Sequence, residues 1–315
     1  MCQNFVYSEN YHVNLSENIR NMKHIYTLLL VWMSCLLLNS CQTVPEERLI
    51  SVTIEPQRYF VEKIAGERFH VHCVTPVGQS PETYDPAPQQ MMQIGNSMAY
   101  FKIGYIGFEL AWMKTIEEQN PDMKVYDLSK GMNLIENNEE EEHEGHAHRH
   151  GMIDPHIWTS VAGAKVIIQN ISDALMELDP ENRALYAQNY EQALAEIEAV
   201  KEEIERILQP VKGTSFIIYH PALTYFAREF GLNQLCIELD GKEPSPAQLK
   251  NLIEVAHHSG TKIIFIQQEF DKKNAELIAK ETGCKLVQIN PLSYNWKDEM
   301  INLAKVLAGN KNWQP

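Results

Sequence analysis

A helix-forming stretch of about thirty residues divides the chain into two similar halves. It is opened by Asp179-Pro180 and closed by Pro210 and Gly213. Asp suits the cap position and Pro the first helical position. Apolar residues at Leu185, Tyr186, Tyr190, Leu194, Ile197, Val200, Ile204 and Ile207 form one stripe at helical spacing. At 1.5 Å per residue such a helix spans about 45 Å, the length of a domain, so it can act as a strut between two lobes. A coiled-coil dimer segment is the competing reading, and the stripe is short for it.

On each side of the strut the chain alternates short apolar strands with amphipathic helices. In the first half, strands are expected at 49–54, 69–74, 99–103 and 123–128, and helices at 56–65, 89–96 and 106–119. In the second half, strands are expected at 215–219, 234–239, 262–267 and 285–289, and helices at 222–230, 246–259, 272–283 and 296–309. Four strands per half in a βα rhythm predict an α/β fold of two parallel-sheet lobes bridged by one long rigid helix, with a cleft between them. The expected division is 1–41 as an N-terminal extension and lipoprotein signal peptide and 42–178 as the N-terminal lobe. The linker helix takes 179–212 and the C-terminal lobe 213–315. The net charge of −15 argues against a general nucleic-acid binder and suits a soluble protein, or one whose partner is a cation; a monomer is expected.

The N-terminus reads as an address. Arg20 and Lys23 precede Ile25–Leu38, an apolar run of 14 residues that is too short for a membrane span. Leu38-Asn39-Ser40-Cys41 follows, with a small residue before a cysteine, as in a bacterial lipobox. Cys41 is therefore expected to be lipidated and to anchor the mature chain to a membrane of the cell envelope, periplasmic or at the surface. Met22 suits the start of such a signal better than Met1. Of the six cysteines, Cys73, Cys236 and Cys284 remain in the mature chain beside Cys41, without metal-site or disulfide spacing.

In parallel sheets, ligands gather at the carboxyl ends of strands. There the first half carries Glu82 and Asp85, then Asp154-Pro155-His156. The second half carries His220 and Asn290. Imidazole, carboxylate and amide oxygen suit a borderline divalent ion, with Zn²⁺ first and Mn²⁺ or Fe²⁺ as alternatives. Residues 136–151 hold six glutamates and four histidines and cannot bury a core, so a mobile loop is expected. His143, His146, His148 and His150 would make that loop an auxiliary metal-capture tether. His70 and His72, inside a strand, and His257 and His258, closing a helix, read as structural.

SPETYDPAP, DPHIW, FIIYHPALTYFAREFGL, EPSPAQL and ETGCKLVQINPL resemble the zinc and manganese solute-binding proteins of ABC transporters, from about Leu49 to Ala308. The resemblance implies two lobes bridged by a rigid helix and a metal between them. It implies ligands from the loop after the second strand, from the DPH motif and from a histidine after the first C-lobe strand. On this chain these are Glu82, His156 and His220, with Asn290 where some members have a carboxylate. Glu82 stands where the family's motif usually has histidine. Asn290, water, Asp85 or Glu269 would complete the shell. The implied partner is an ABC transporter permease, and no enzymatic activity is expected. A zinc hydrolase would suit a His₂-carboxylate set, yet His143-Glu144-Gly145-His146-Ala147 lacks the second histidine of HExxH. A metal-buffering lipoprotein, a surface adhesin and a haem or siderophore receptor are the other readings.

Overall fold

A computed structural model describes residues 22, 24, 26, 48–137, 152–238 and 243–309. Apart from Met22, His24 and Tyr26, the expected signal peptide with Cys41 lies outside the described residues, as do His143, His146, His148 and His150. Arg48–Pro315 makes one unit and Met1–Glu47 another.

The first sheet is built from β1 (Leu49–Val52), β2 (His70–Cys73), β3 (Ala99–Lys102) and β4 (Lys124–Asp127), all parallel, in the order β2-β1-β3-β4. Three helices connect them: α1 (Glu55–Ala65), α2 (Pro88–Gly95) and α3 (Gly107–Gln119). Glu136 and Asn137, expected to be loop, instead form β5 (Glu136–Asn137), which pairs antiparallel with β6 (Met152–Ile153).

The second sheet is also all parallel. It comprises β7 (Ser215–Ile218), β8 (Asn233–Cys236), β9 (Ile263–Gln267) and β10 (Lys285–Ile289), in the order β10-β9-β7-β8. Both sheets thus place their first strand centrally, their second on one side and their third and fourth on the other.

Before the strut comes a helix that the strand-and-helix alternation did not anticipate, α4 (Val161–Leu178). Its pattern is nonetheless helical, burying Val161, Ala164, Ile167, Ile168, Ile171, Ala174 and Leu175. Ser160 caps it by accepting from the Gly163 N–H. Only glycine fits at 163, because a Cβ there would stand 1.9 Å from the Ile157 carbonyl oxygen.

The strut itself is α5 (Arg183–Leu208), of 26 residues. It is shorter than expected because single 3₁₀ turns, Pro180–Asn182 and Gln209–Val211, flank it. Asp179, expected as its cap, instead accepts from Arg48, Asn182 and Tyr186, which ties the start of β1 to the strut.

The remaining helices are α6 (Thr224–Phe230), α7 (Pro246–Ser259), α8 (Lys273–Thr282) and α9 (Trp296–Leu307). The strut packs against α4, α1 and α9. One continuous core therefore joins Val52 and Phe101 of the first sheet, Ile197, Val200 and Ile204 of the strut, and Phe216 and Phe265 of the second sheet. A smaller core, with Ile217, Ile264 and Ile278, fills the other face of the second sheet. Each C-lobe strand alternates between the two, as the two-residue period of a strand requires.

Two tryptophans fasten the lobes. Trp158 Nε1 donates to the Pro291 carbonyl at 3.0 Å, and Trp296 Nε1 donates to the Trp158 carbonyl at 2.6 Å. Cys73, Cys236 and Cys284 are free thiols.

Candidate metal centre

The open side of the second sheet faces the loops of the first, and a small cavity of about 30 Å³ lies between them. Its walls include Glu82 and His156 from the first half and His220 and Glu269 from the second. A volume of ~10–15 Å³ already admits one water, so the cavity suits an ion and is far too small for haem or a siderophore.

His156 sits on the turn after β6, only 7 % exposed. Asp154 accepts from its backbone N–H at 2.9 Å and from its Nδ1 at 2.8 Å. The turn is held from the C-terminal half: Tyr225 donates to the Asp154 carbonyl at 2.8 Å and accepts from the Ile135 N–H at 3.0 Å. Burial opposes the charged imidazole, but the Asp154 carboxylate outweighs it, and His156 is held above the ordinary histidine range. Asp154, likewise pushed up by burial, is pulled below its ordinary range by the same contact.

His220 follows β7. Its Nδ1 lies 3.2 Å from Glu238 Oε1. Gln267, the last residue of β9, donates to the His220 carbonyl at 2.8 Å and accepts from its N–H. Phe270 stacks on the ring at 5.3 Å and 16°.

Each Nδ1 faces a carboxylate, which only accepts, so each Nδ1 carries the hydrogen. Each Nε2 then presents a lone pair, and these two atoms lie 3.3 Å apart. Facing lone pairs repel unless a proton or cation lies between them. Two nitrogens bound to one tetrahedral zinc at ~2.0–2.1 Å stand roughly 3.3–3.4 Å apart, which matches. The carboxylates behind the rings fix tautomer and orientation as metal-binding histidines require.

Glu82 comes from the loop after β2. Its Oε2 accepts from the Gly107 N–H at 2.9 Å at the start of α3, where the helix dipole favours an anion. The neighbouring Pro81 carbonyl accepts from Phe108 N–H at 2.9 Å. The approach is so close that a Cβ at Gly107 would stand 2.1 Å from the Glu82 carbonyl oxygen. The other oxygen, Oε1, is buried without a hydrogen-bond partner among the described residues.

The loop before α3 is fixed from beneath by Glu109, 3 % exposed, which accepts from Thr53 Oγ1 and from the N–H groups of Ile103 and Gly104. Burial raises Glu109 to about 7, partly offset by those hydrogen bonds.

Asn290 is not brought to the cavity. Its Oδ1 accepts from the Leu292 N–H at 3.1 Å and its N–H donates to Glu299 at 2.9 Å, so the side chain builds its own turn. Asp85 is exposed on the loop and does not line the cavity. Among the described residues, no three histidine, cysteine or acidic side chains stand in a ready-made ligating cluster. His72 lies in β2, half-buried, with burial lowering its pKa. His258 bonds the Glu254 carbonyl in the last turn of α7, as a helix-closing residue does. Of the residues that the sequence singles out, Glu82, His156, His220 and Glu269 line this one cavity, and Asn290 and Asp85 do not. Sequence reasoning missed Glu238, Gln267 and Phe270 as supports of the cavity's side chains, because strand ends do not announce their neighbours across the sheet.

Residues 50–309 match the family described as zinc-uptake complex component A, periplasmic. The high-affinity zinc uptake system protein ZnuA of Bacillus subtilis is 27% identical over 260 residues, covering 79% of this chain and 80% of its own. The zinc-binding lipoprotein AdcA of Streptococcus pneumoniae is 27% identical over 284 residues, 86% of this chain and 56% of its own. This chain thus spans little more than half of AdcA. A crystal structure of ZnuA superimposes with a TM-score of 0.77 at 36% identity, covering 84% of this chain and 98% of that one. The chain belongs to the zinc-uptake component A family.

Proposed function

We propose that this member of the zinc-uptake component A family captures one divalent cation, zinc ahead of manganese, between its lobes and delivers it to an ABC importer. The observation that carries the reading is the pair of Nε2 atoms at 3.3 Å, each backed by a carboxylate on Nδ1. His156, His220 and Glu82 are the proposed ligands, with the buried, unpartnered Glu82 Oε1 as the oxygen donor. A carboxylate in place of a third imidazole makes the site harder, which keeps manganese and iron within reach. The shared core and the strut support small, local opening of the site rather than wide closure of the lobes. The family's uptake role supports a membrane permease as partner and an envelope location. Lipidation of Cys41 and weak metal capture by His143, His146, His148 and His150 belong to the same reading. No catalytic step is part of it.

Competitive titration of the full chain with a zinc chelator tests this. One tight zinc per chain is expected, lost in His156→Ala and in His220→Ala and kept when residues 138–150 are deleted. Tight zinc that survives both alanine variants and disappears with the deletion would overturn the reading in favour of a metal-buffering loop. Radiolabelled palmitate incorporation that persists in Cys41→Ala would overturn the anchor.

A further inference from the structure

Where the resemblance gives some members a carboxylate after the last strand, this chain has Asn290, turned into its own loop. We propose that Glu269, on the turn after β9, supplies the missing oxygen donor, so that the cation is held by Glu82, His156, His220 and Glu269. The inference rests on reading the cavity as a metal site and adds a ligand to it.

Three features place Glu269 for this role. First, it lines the same cavity as the other three donors. Second, its Oε1 is fully buried yet has no hydrogen-bond partner among the described residues, a state shared at this cavity by Glu82 Oε1. A buried carboxylate oxygen without a partner is costly, and a cation relieves that cost for both groups at once. Third, its neighbours fix it against His220. Gln267 clasps the His220 backbone and Phe270 stacks on its ring, so the segment 267–270 wraps one proposed ligand while presenting another. The turn's geometry is thus set by the strand before it and the ring beside it.

The chemistry also balances. Among the ligands themselves, two carboxylates match the charge of a dication in a cavity with little room for water, while Asp154 and Glu238 stay hydrogen-bonded to the two imidazoles behind them. The set takes one imidazole and one carboxylate from each half of the molecule. Moving a carboxylate from the turn after β10 to the turn after β9 shifts it to the adjacent strand of the same sheet. That shift keeps the donor on the rim of the cavity.

The test uses the full chain loaded with Zn²⁺ or Co²⁺, comparing Glu269→Gln, Glu269→Asp and Asn290→Ala with the parent. Glu269→Gln is expected to weaken zinc binding by at least the ~10–100-fold that removal of an outer-sphere partner costs. It should also change the intensity and position of the visible Co²⁺ bands, because a ligand atom has changed. Glu269→Asp keeps the charge and shortens the reach, and should fall between the two. Asn290→Ala should stay within about threefold of the parent. An unchanged affinity and cobalt spectrum in Glu269→Gln would overturn the assignment. A weakened affinity with an unchanged spectrum would also overturn it, since Glu269 would then act only through His220. If His156→Ala and His220→Ala also bind normally, the metal site itself has failed. If only the Glu269 variants bind normally, the fourth ligand alone has failed.

Discussion

The two sheets share one strand order, yet their central crevices are used in opposite ways. In the first sheet, the carboxyl ends of β1 and β3 are sealed by Glu109, which bridges Thr53 to Ile103 and Gly104. The cavity-lining side chains of that half come instead from outer loops, Glu82 after β2 and His156 after β6. In the second sheet, the corresponding ends of β7 and β9 stay open to the cavity. Gln267 ties them together at the backbone, and His220 and Glu269 stand just beyond. A topological switch point therefore offers a site without requiring one. One buried carboxylate, Glu109, turns the first into scaffold, whereas the second leaves His220, Gln267 and Glu269 on the rim of the cavity.

The largest effect should come from disturbing the sealed half where it meets the site. Gly107→Ala puts a methyl group into the Glu82 carbonyl, 2.1 Å away. We expect a loss of about 3 kcal/mol, at the upper end for overpacking, with zinc affinity falling as Glu82 is displaced. Thermal melting and chelator competition on the same variant check both. A normal melt with normal affinity would mean the Glu82 loop is not seated on α3.

Glu109 also predicts a pH signature. Its folded pKa of about 7 lies above the ordinary 4.5, burial being the main cause. The folded state then holds this proton more tightly than the unfolded chain. Stability is full below about pH 4.5 and declines as pH rises to about 7. The span corresponds to on the order of 3 kcal/mol. Glu299, buried beneath Asn290 and also raised to about 7 by burial, contributes with the same sign from the second half. Denaturant unfolding at several pH values should show a shallower decline in Glu109→Gln, and an unaltered slope would remove Glu109 from the account.

Next in size are the carboxylates behind the two imidazoles. Asp154→Asn and Glu238→Gln should each weaken zinc binding ~10–100-fold, with Asp154 the more costly because its contact is shorter and its histidine more buried. Asp154 raises the His156 pKa, so protons compete with metal at a higher pH than for an ordinary histidine. In Asp154→Asn the pH below which zinc affinity begins to fall should move down, even as the affinity at pH 8 is weaker. Equal losses for both variants would contradict the asymmetry between the halves.

Smallest of all is the surface network of Lys63 and Lys297 on Glu196, which joins α1 and α9 to the strut. Lys63→Ala should cost less than ~1 kcal/mol and leave zinc affinity unchanged. A measurable change in affinity would mean that the strut communicates with the site.

Much of this was legible in the sequence, for physical reasons. Strands showed as short apolar runs, and the helices expected at 56–65, 222–230 and 246–259 stop at or beside Gly66, Gly231 and Gly260, all at positive φ. The helix α4 was equally legible in its apolar period and was overlooked beside the acidic loop and the DPH turn. The 3₁₀ turns at both ends of the strut were not legible, because Pro at a first helical position suits either helix type. Donor residues stood out at strand ends, but their company did not. His156 and His220 are 64 residues apart, and Glu82 meets Gly107 across 25. The retreat of Asn290 into its own turn depends on Leu292 and Glu299, which only the folded loop brings to it.

The most direct test of the central claim is anomalous diffraction at the zinc edge from crystals of the zinc-loaded full chain. The account predicts a strong peak within about 2.0–2.1 Å of both His156 Nε2 and His220 Nε2. A zinc peak remote from these two nitrogens, with none between them, would contradict it.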